Sequence, residues 1–151
     1  MSLSANKLIQ RKAQPVITKL KCVDGALHIY KGALLNYENS NIGYVMPATN
    51  TNGQEFAGIA LEEVNVAAAD NTADGTFEVE ILPRGCGECV LLDVDETLTI
   101  ANEGDAVYAY SDDTVKLTAV TVNTTGGMVG IIRQFVSATK AWVQLTQHPT
   151  L

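Results

Sequence analysis

The stretch Val90–Ile100, VLLDVDETLTI, places two carboxylates, Asp93 and Asp95, and a hydroxyl, Thr97, at alternate positions after an apolar run. Carboxylates so spaced could act as a nucleophile and a general acid–base, with a divalent cation offsetting their charge. Just upstream, Cys86-Gly87-Glu88-Cys89 forms a C-x-x-C, the spacing of a redox pair or of one zinc knuckle. The remaining soft ligands are Cys22, His28 and His148, none of them paired at knuckle spacing. Four ligands close a structural zinc site, so this set falls short of one. A redox C-x-x-C opens a helix, whereas Gly85 and Gly87 suit a tight turn. The sequence therefore points to free thiols. No serine or cysteine stands with either histidine in a hydrolytic motif, and no glycine loop is built to cradle a phosphate.

The Asp93-x-Asp95-x-Thr97 pattern resembles the haloacid-dehalogenase signature. That resemblance implies Asp93 as nucleophile, Asp95 as acid–base, Thr97 as a phosphate contact and Mg²⁺ beside them. The surrounding chain argues otherwise. In that family the motif opens a parallel sheet with helices after its strands, whereas the residues after 97 read as strands and turns. Lys116 follows the acidic pair Asp112-Asp113, while the family places its lysine before the pair. The alternative is an acidic β-turn between strands at Val90–Leu92 and Thr97–Ile100. Function rests on a whole site, and this pentapeptide has no site around it.

The elements around these residues are short. Gly104–Leu145 contains four apolar runs, Ala106–Tyr110, Val115–Ala119, Met128–Arg133 and Ala141–Leu145, separated by turn formers. Runs of this kind, rich in Val, Ile, Tyr and Trp, describe an antiparallel sheet, and no helix follows any of them. Earlier candidates are Val16–Cys22, Ala26–Tyr30, Ile42–Met46, Phe56–Leu61, Thr76–Leu82, Glu88–Leu92 and Thr97–Ile100. In Thr76–Leu82, Phe77, Val79 and Ile81 point one way and Thr76, Glu78 and Glu80 the other. Asp24-Gly25, Asn52-Gly53 and Asp74-Gly75 are turn dipeptides. Only Leu8–Ala13 and Leu61–Ala69 could form a helical turn, and Val64 to Val66 suit a strand equally well. No internal repeat of fixed period stands out. The expected fold is all-β: a compact antiparallel barrel or sandwich with an extended N-terminal arm and little helix. Tyr108, Tyr110 and Trp142 are expected to pack in the sheet or rim it.

Composition sets the outer limits. With 151 residues, 46% hydrophobic and 18% charged, the chain can bury a core and is not disordered throughout. No apolar run approaches membrane-spanning length, and MSLSANKLIQRKAQP lacks the apolar centre of a signal peptide, which argues against secretion through one. Three cysteines are an odd number and too few for a disulfide framework, in keeping with assembly in a reducing cytoplasm. Lys7, Arg11, Lys12, Lys19 and Lys21 precede the first acid, Asp24, so residues 1–21 carry +5. The other five bases against 17 acids leave −12 on residues 22–151. The chain divides into a basic arm, 1–21, and a β body, 22–151. An acidic body repels nucleic-acid phosphates, while the arm suits an acidic neighbour.

In order along the chain stand Phe56-Ala57-Gly58-Ile59-Ala60, Asp74-Gly75-Thr76 with its strand, Gly104-Asp105-Ala106-Val107-Tyr108, Val129-Gly130-Ile131 and Trp142-Val143-Gln144-Leu145. As an ordered set, covering about residues 22–146, these resemble the capsid cement, or head decoration, proteins of tailed bacteriophages. The longer basic arm and an insertion-like Val90–Ile100 depart from the simplest members. The resemblance implies a non-enzymatic virion protein on the capsid exterior, assembled in the host cytoplasm. It implies a homotrimer or similar cluster that clamps the major capsid protein, with no cofactor, metal, membrane or direct nucleic-acid contact. The arm residues Leu3, Lys7, Leu8, Ile9, Arg11, Lys12 and Val16 are the candidate contacts to capsid or sister subunit. They act through apolar burial and basic steering, or as a strand added to a partner's sheet. A tail, fibre or glycan-binding module is the alternative, marked by exposed aromatics grouped on one face.

Overall fold

The computed structural model describes residues 18–38, 43–51, 53–117 and 127–146. Among these residues twelve strands follow one another: β1 Thr18–Cys22, β2 Leu27–Ile29, β3 Leu34–Tyr37, β4 Tyr44–Pro47, β5 Glu55–Ala60, β6 Val64–Val66, β7 Glu78–Pro83, β8 Cys89–Val94, β9 Ala106–Ala109, β10 Thr114–Leu117, β11 Met128–Ser137 and β12 Lys140–Leu145. The all-β expectation holds, as two closed five-stranded barrels. Barrel 1 runs β1-β4-β3-β5-β7 and barrel 2 runs β10-β8-β12-β11-β9, while β2 and β6 form a two-stranded ribbon.

Alternation builds these strands as expected. In β7, Val79 and Ile81 are buried and Glu78 is exposed, which turns one face inward. Gly25 and Gly75 take positive φ (88 and 80) at their turns. Two pairings differ from a purely antiparallel reading: β1 runs parallel to β4, with Cys22 opposite Val45, and β8 parallel to β10, with Val94 opposite Val115. The crossover that a parallel pair needs is supplied by the chain through β2 and β3, or through β9, rather than by a helix.

Three local expectations change. β3 lies in a stretch not marked as a strand, because Leu34, Leu35 and Asn36 are all buried and show no alternation. Thr97–Ile100 is not a strand. Thr99 instead caps a single 3-10 turn, Ile100–Asn102, its hydroxyl accepting from Ala101 N while Thr99 N donates to Asn102 Oδ1 at 2.9 Å. Leu61–Ala69 resolves into β6 and the start of a second 3-10 turn, Ala68–Asp70. The candidate helix Leu8–Ala13 lies outside the described residues. Because β1 starts at Thr18, Lys19 and Lys21 belong to barrel 1, and the arm ends before them.

The barrels repeat each other. Taking the five strands of each in chain order, both close in the sequence first-third-second-fourth-fifth, with first and third parallel. The register repeats as well. Leu35 faces Gly58 and Val107 faces Gly130, and the ladder slips beside each glycine, at Ala57 and Val129. Gly32 N donates to Ala60 O at 2.8 Å and Gly104 N to Ile132 O at 2.8 Å; Ala60 N donates to Ala33 O and Ile132 N to Asp105 O, both at 2.9 Å. Each corresponding pair is 72 residues apart (104 − 32, 130 − 58). Later the interval shortens, because residues 61–77 join the last two strands of barrel 1 and only Ala138 and Thr139 join those of barrel 2. The repeat is one of backbone geometry with little residue identity, so it escapes a search for sequence periodicity. Val90–Ile100, which looks like an insertion, supplies the first strand of the second copy.

One apolar cluster fills barrel 1, including Cys22, Leu35, Val45, Ala57, Val79 and Ile81. A second fills barrel 2 and continues onto the outer face of barrel 1 through Leu34, Phe56, Ile59 and Leu82. The barrels therefore share a core.

At Gly58 an added Cβ would meet the Leu82 carbonyl, and at Gly130 the Gln144 carbonyl. Gly58→Ala and Gly130→Ala should each lower the unfolding free energy by about 1–3 kcal/mol in urea titrations. A neutral alanine at either position would contradict the repeated close approach.

Candidate functional site

Asp93 lies on the exposed face of β8, opposite Lys140 of β12, whose Nζ is 2.6 Å from Asp93 Oδ1. Asp95 opens the bend after β8, with its Oδ2 3.5 Å from Lys116 Nζ. The Lys116 ammonium also sits 4.1 Å from the centre of the Tyr110 ring. Thr97 is exposed beyond the bend. Each aspartate thus has its own lysine, and the acidic stretch is a strand end and a bend rather than a turn between two strands. Among the described residues, no three His, Cys, Asp or Glu side chains converge as metal ligands would.

The Cys86–Cys89 segment is a turn leading into β8. Gly85 and Gly87 adopt positive φ (69 and 85), and Gly87 N donates to Leu145 O at 2.9 Å. All three thiols are free: Cys22 buried, Cys86 half-buried and Cys89 exposed. Burial, and then the charges of Glu62 and Glu78, push the Cys22 thiol up to about 11. Burial likewise raises the Cys86 thiol. His28 Nε2 lies 2.8 Å from Glu63 Oε1, and its ring centre is 3.9 Å from that of Tyr30. His148 and all seven candidate arm contacts, Leu3, Lys7, Leu8, Ile9, Arg11, Lys12 and Val16, lie outside the described residues.

A crevice of about 420 Å³ is walled by Tyr30 and Lys31, on the link from β2 to β3, and by Leu91, Asp93, Asp112 and Asp113 of barrel 2. Of the lining residues, Asp112 accepts at its backbone O from Leu34 N at 2.7 Å, and Asp113 Oδ1 accepts from Ser111 Oγ at 2.6 Å. Beside the crevice, Leu91 faces Trp142 across β8 and β12. Both stand in the open, at 45% and 40% exposure, as does Tyr30 at 56%. Tyr108 is buried and Tyr110 half-buried, as sheet-packing aromatics should be.

The repeat provides an internal comparison for this apolar pair. Asp93 opposite Lys140 corresponds to Lys21 opposite Glu78 in barrel 1. One step along the same face, Leu91 opposite Trp142 corresponds to Lys19 opposite Glu80, an ion pair at 3.7 Å. Identical backbone positions therefore hold a solvated salt bridge on one barrel and an uncovered Leu–Trp pair on the other. Sequence reading missed this surface because apolar residues in a strand read as core. The available signal was that Leu91 and Trp142 occupy the outward-facing half of their strands. No protein-family model matches the sequence, and no curated protein matches it.

Two measurements follow from these positions. Cys89 should react with a thiol reagent in the native state and Cys22 only on unfolding. Because the folded Cys22 keeps its proton above the ordinary value of 9.0, its contribution to stability is whole below pH 9 and falls as pH rises toward about 11. Thermal unfolding across that window should show a decline that Cys22→Ala reduces; identical slopes would contradict it. Separately, Asp93→Asn removes only an exposed ion pair, so stability should change by less than about 1 kcal/mol. The wild-type chain should release no phosphate from p-nitrophenyl phosphate with Mg²⁺. Turnover that depends on Asp93 would reinstate the phosphatase reading.

Proposed function

We propose that this chain is a non-enzymatic structural protein of a tailed-phage virion, which binds the outer surface of the capsid and cements the head. The observation that carries this reading is the exposed Leu91–Trp142 pair, placed on a closed barrel where the sister barrel carries an ion pair. Large apolar side chains held in the open on a firm scaffold suit contact with another protein, and Trp is favoured at the centre of such contacts. Charge adds to it: an acid-free basic arm precedes an acidic body, which suits docking among neighbours of opposite sign. The major capsid protein is the partner, and a homotrimer or similar cluster on the capsid exterior is the assembly. Many copies then hold the lattice through individually weak contacts.

A glycan-binding tail or fibre module is the second reading, favoured by Tyr30 and Trp142 flanking Leu91 beside one crevice. Purified protein mixed with expanded empty capsids separates the two. The full chain should saturate the capsids, and deletion of residues 2–15 should weaken occupancy by at least about tenfold. Undiminished occupancy would remove the arm from the mechanism. Absence of binding by the full chain, together with glycan binding, would replace the cement reading by the second.

A further inference from the structure

Cement proteins could gather on a capsid with or without touching one another. The surface just described favours direct contact. We propose that the crevice and the adjoining Leu91–Trp142 pair form the seat for the basic N-terminal segment, residues 1–17, of a second copy of this chain.

Charge selects this occupant. The crevice lining carries Lys31 against Asp93, Asp112 and Asp113; Asp93 is held by Lys140, while Lys31, Asp112 and Asp113 enter no ion pair among the described residues, so the balance there stays negative. Carboxylates beside Tyr30, Leu91 and Trp142 match a ligand that alternates cationic and aliphatic side chains. Residues 1–17 have that composition: Lys7, Arg11 and Lys12 among Leu3, Leu8, Ile9 and Val16, without an acid. Lysine and arginine ammonium and guanidinium groups would meet the two aspartates, and arginine can also lie over an aromatic face. The leucines and isoleucine would cover Leu91 and Trp142. Reach is adequate, since 17 residues ahead of Thr18 span at most roughly 60 Å when extended.

The repeat shows that the apolar pair is not a requirement of the barrel. At the equivalent places barrel 1 closes with Lys19 and Glu80. Leu91 and Trp142 thus mark where the second barrel has been given a contact role. An arm from one copy seated on the face of the next is a heterologous contact, which closes into a ring when the rotation allows. The inference extends the cement reading by naming the contact between sister subunits. It is tested without capsids, so the failure of one leaves the other standing.

The experiment uses full-length chains and light scattering coupled to gel filtration. The wild type should self-associate. Lys7→Glu/Arg11→Glu/Lys12→Glu should run as a monomer at concentrations where the wild type is assembled. Leu91→Lys/Trp142→Glu should also be monomeric, and it carries the residues that barrel 1 already tolerates at those positions. Mixing the two variants should yield a one-to-one dimer, because one contributes the intact arm and the other the intact face. Should the face variant fail to fold, Asp112→Lys/Asp113→Lys takes its place, and combining it with the reversed arm in one chain should restore assembly. A monomeric wild type, association unaffected by the arm and face changes, or failure of the mixture to pair would overturn the proposal. Capsid binding by a monomeric wild type would do so while leaving the cement reading intact.

Discussion

Four side chains on the outside of barrel 1, Leu34, Phe56, Ile59 and Leu82, set the terms for the molecule. On an isolated barrel outward residues face water, and large apolar ones left there each forgo about 1.5–3 kcal/mol of burial. Here barrel 2 covers them, and they run into its interior as one apolar cluster. The same junction supplies the hydrogen bond from Leu34 N to Asp112 O, which fixes the β9–β10 turn against barrel 1. That turn and β8 then wall the crevice facing Tyr30 and Lys31. The position of every exposed group at the crevice depends on this shared core.

The repeat separates what the scaffold requires from what each copy does with it. Both barrels need a glycine at the slipped register, Gly58 and Gly130, and a positive-φ glycine at the turn before the second strand, Gly32 and Gly104, with φ of 91 and 95. Outward positions are free to differ. Leu34, Phe56 and Leu82 of barrel 1 correspond to Ala106, Met128 and Gln144 of barrel 2, and only the first set is part of the shared core. Conversely, Lys19 and Glu80 give way to Leu91 and Trp142. Each copy thus exposes apolar residues on a different face: barrel 1 toward its sister, barrel 2 toward the surroundings. Role follows from these outward side chains and not from the fold that carries them.

Much of the strand content could be read from the sequence, for local reasons. β7 alternates from Glu78 to Ile81, and the Asp-Gly dipeptides at 24–25 and 74–75 fall at turns. Features set by distant contacts could not. Leu34–Tyr37 is covered on both faces and so lacks the period-two signal of a half-buried strand. The alternation of Thr97–Ile100 is genuine, yet Thr99 and Asn102 exchange capping hydrogen bonds and wind the chain into a 3-10 turn. Parallel pairing of Cys22 with Val45, and of Val94 with Val115, is likewise invisible locally. The candidate site was harder still. Asp93 and Asp95 attract attention by their spacing, but their lysine partners come from β12 and β10. The Leu91–Trp142 surface emerges only when one barrel is laid on the other.

A shared core predicts that neither barrel unfolds without the other. The single tryptophan, Trp142, reports on barrel 2, whereas far-ultraviolet circular dichroism sums the strands of both barrels. Equilibrium unfolding in urea, followed by both signals on the same samples, should give superimposable transitions with one midpoint. A fluorescence transition clearly displaced from the dichroism curve, or two steps in the latter, would contradict the claim that the two barrels form one cooperative body.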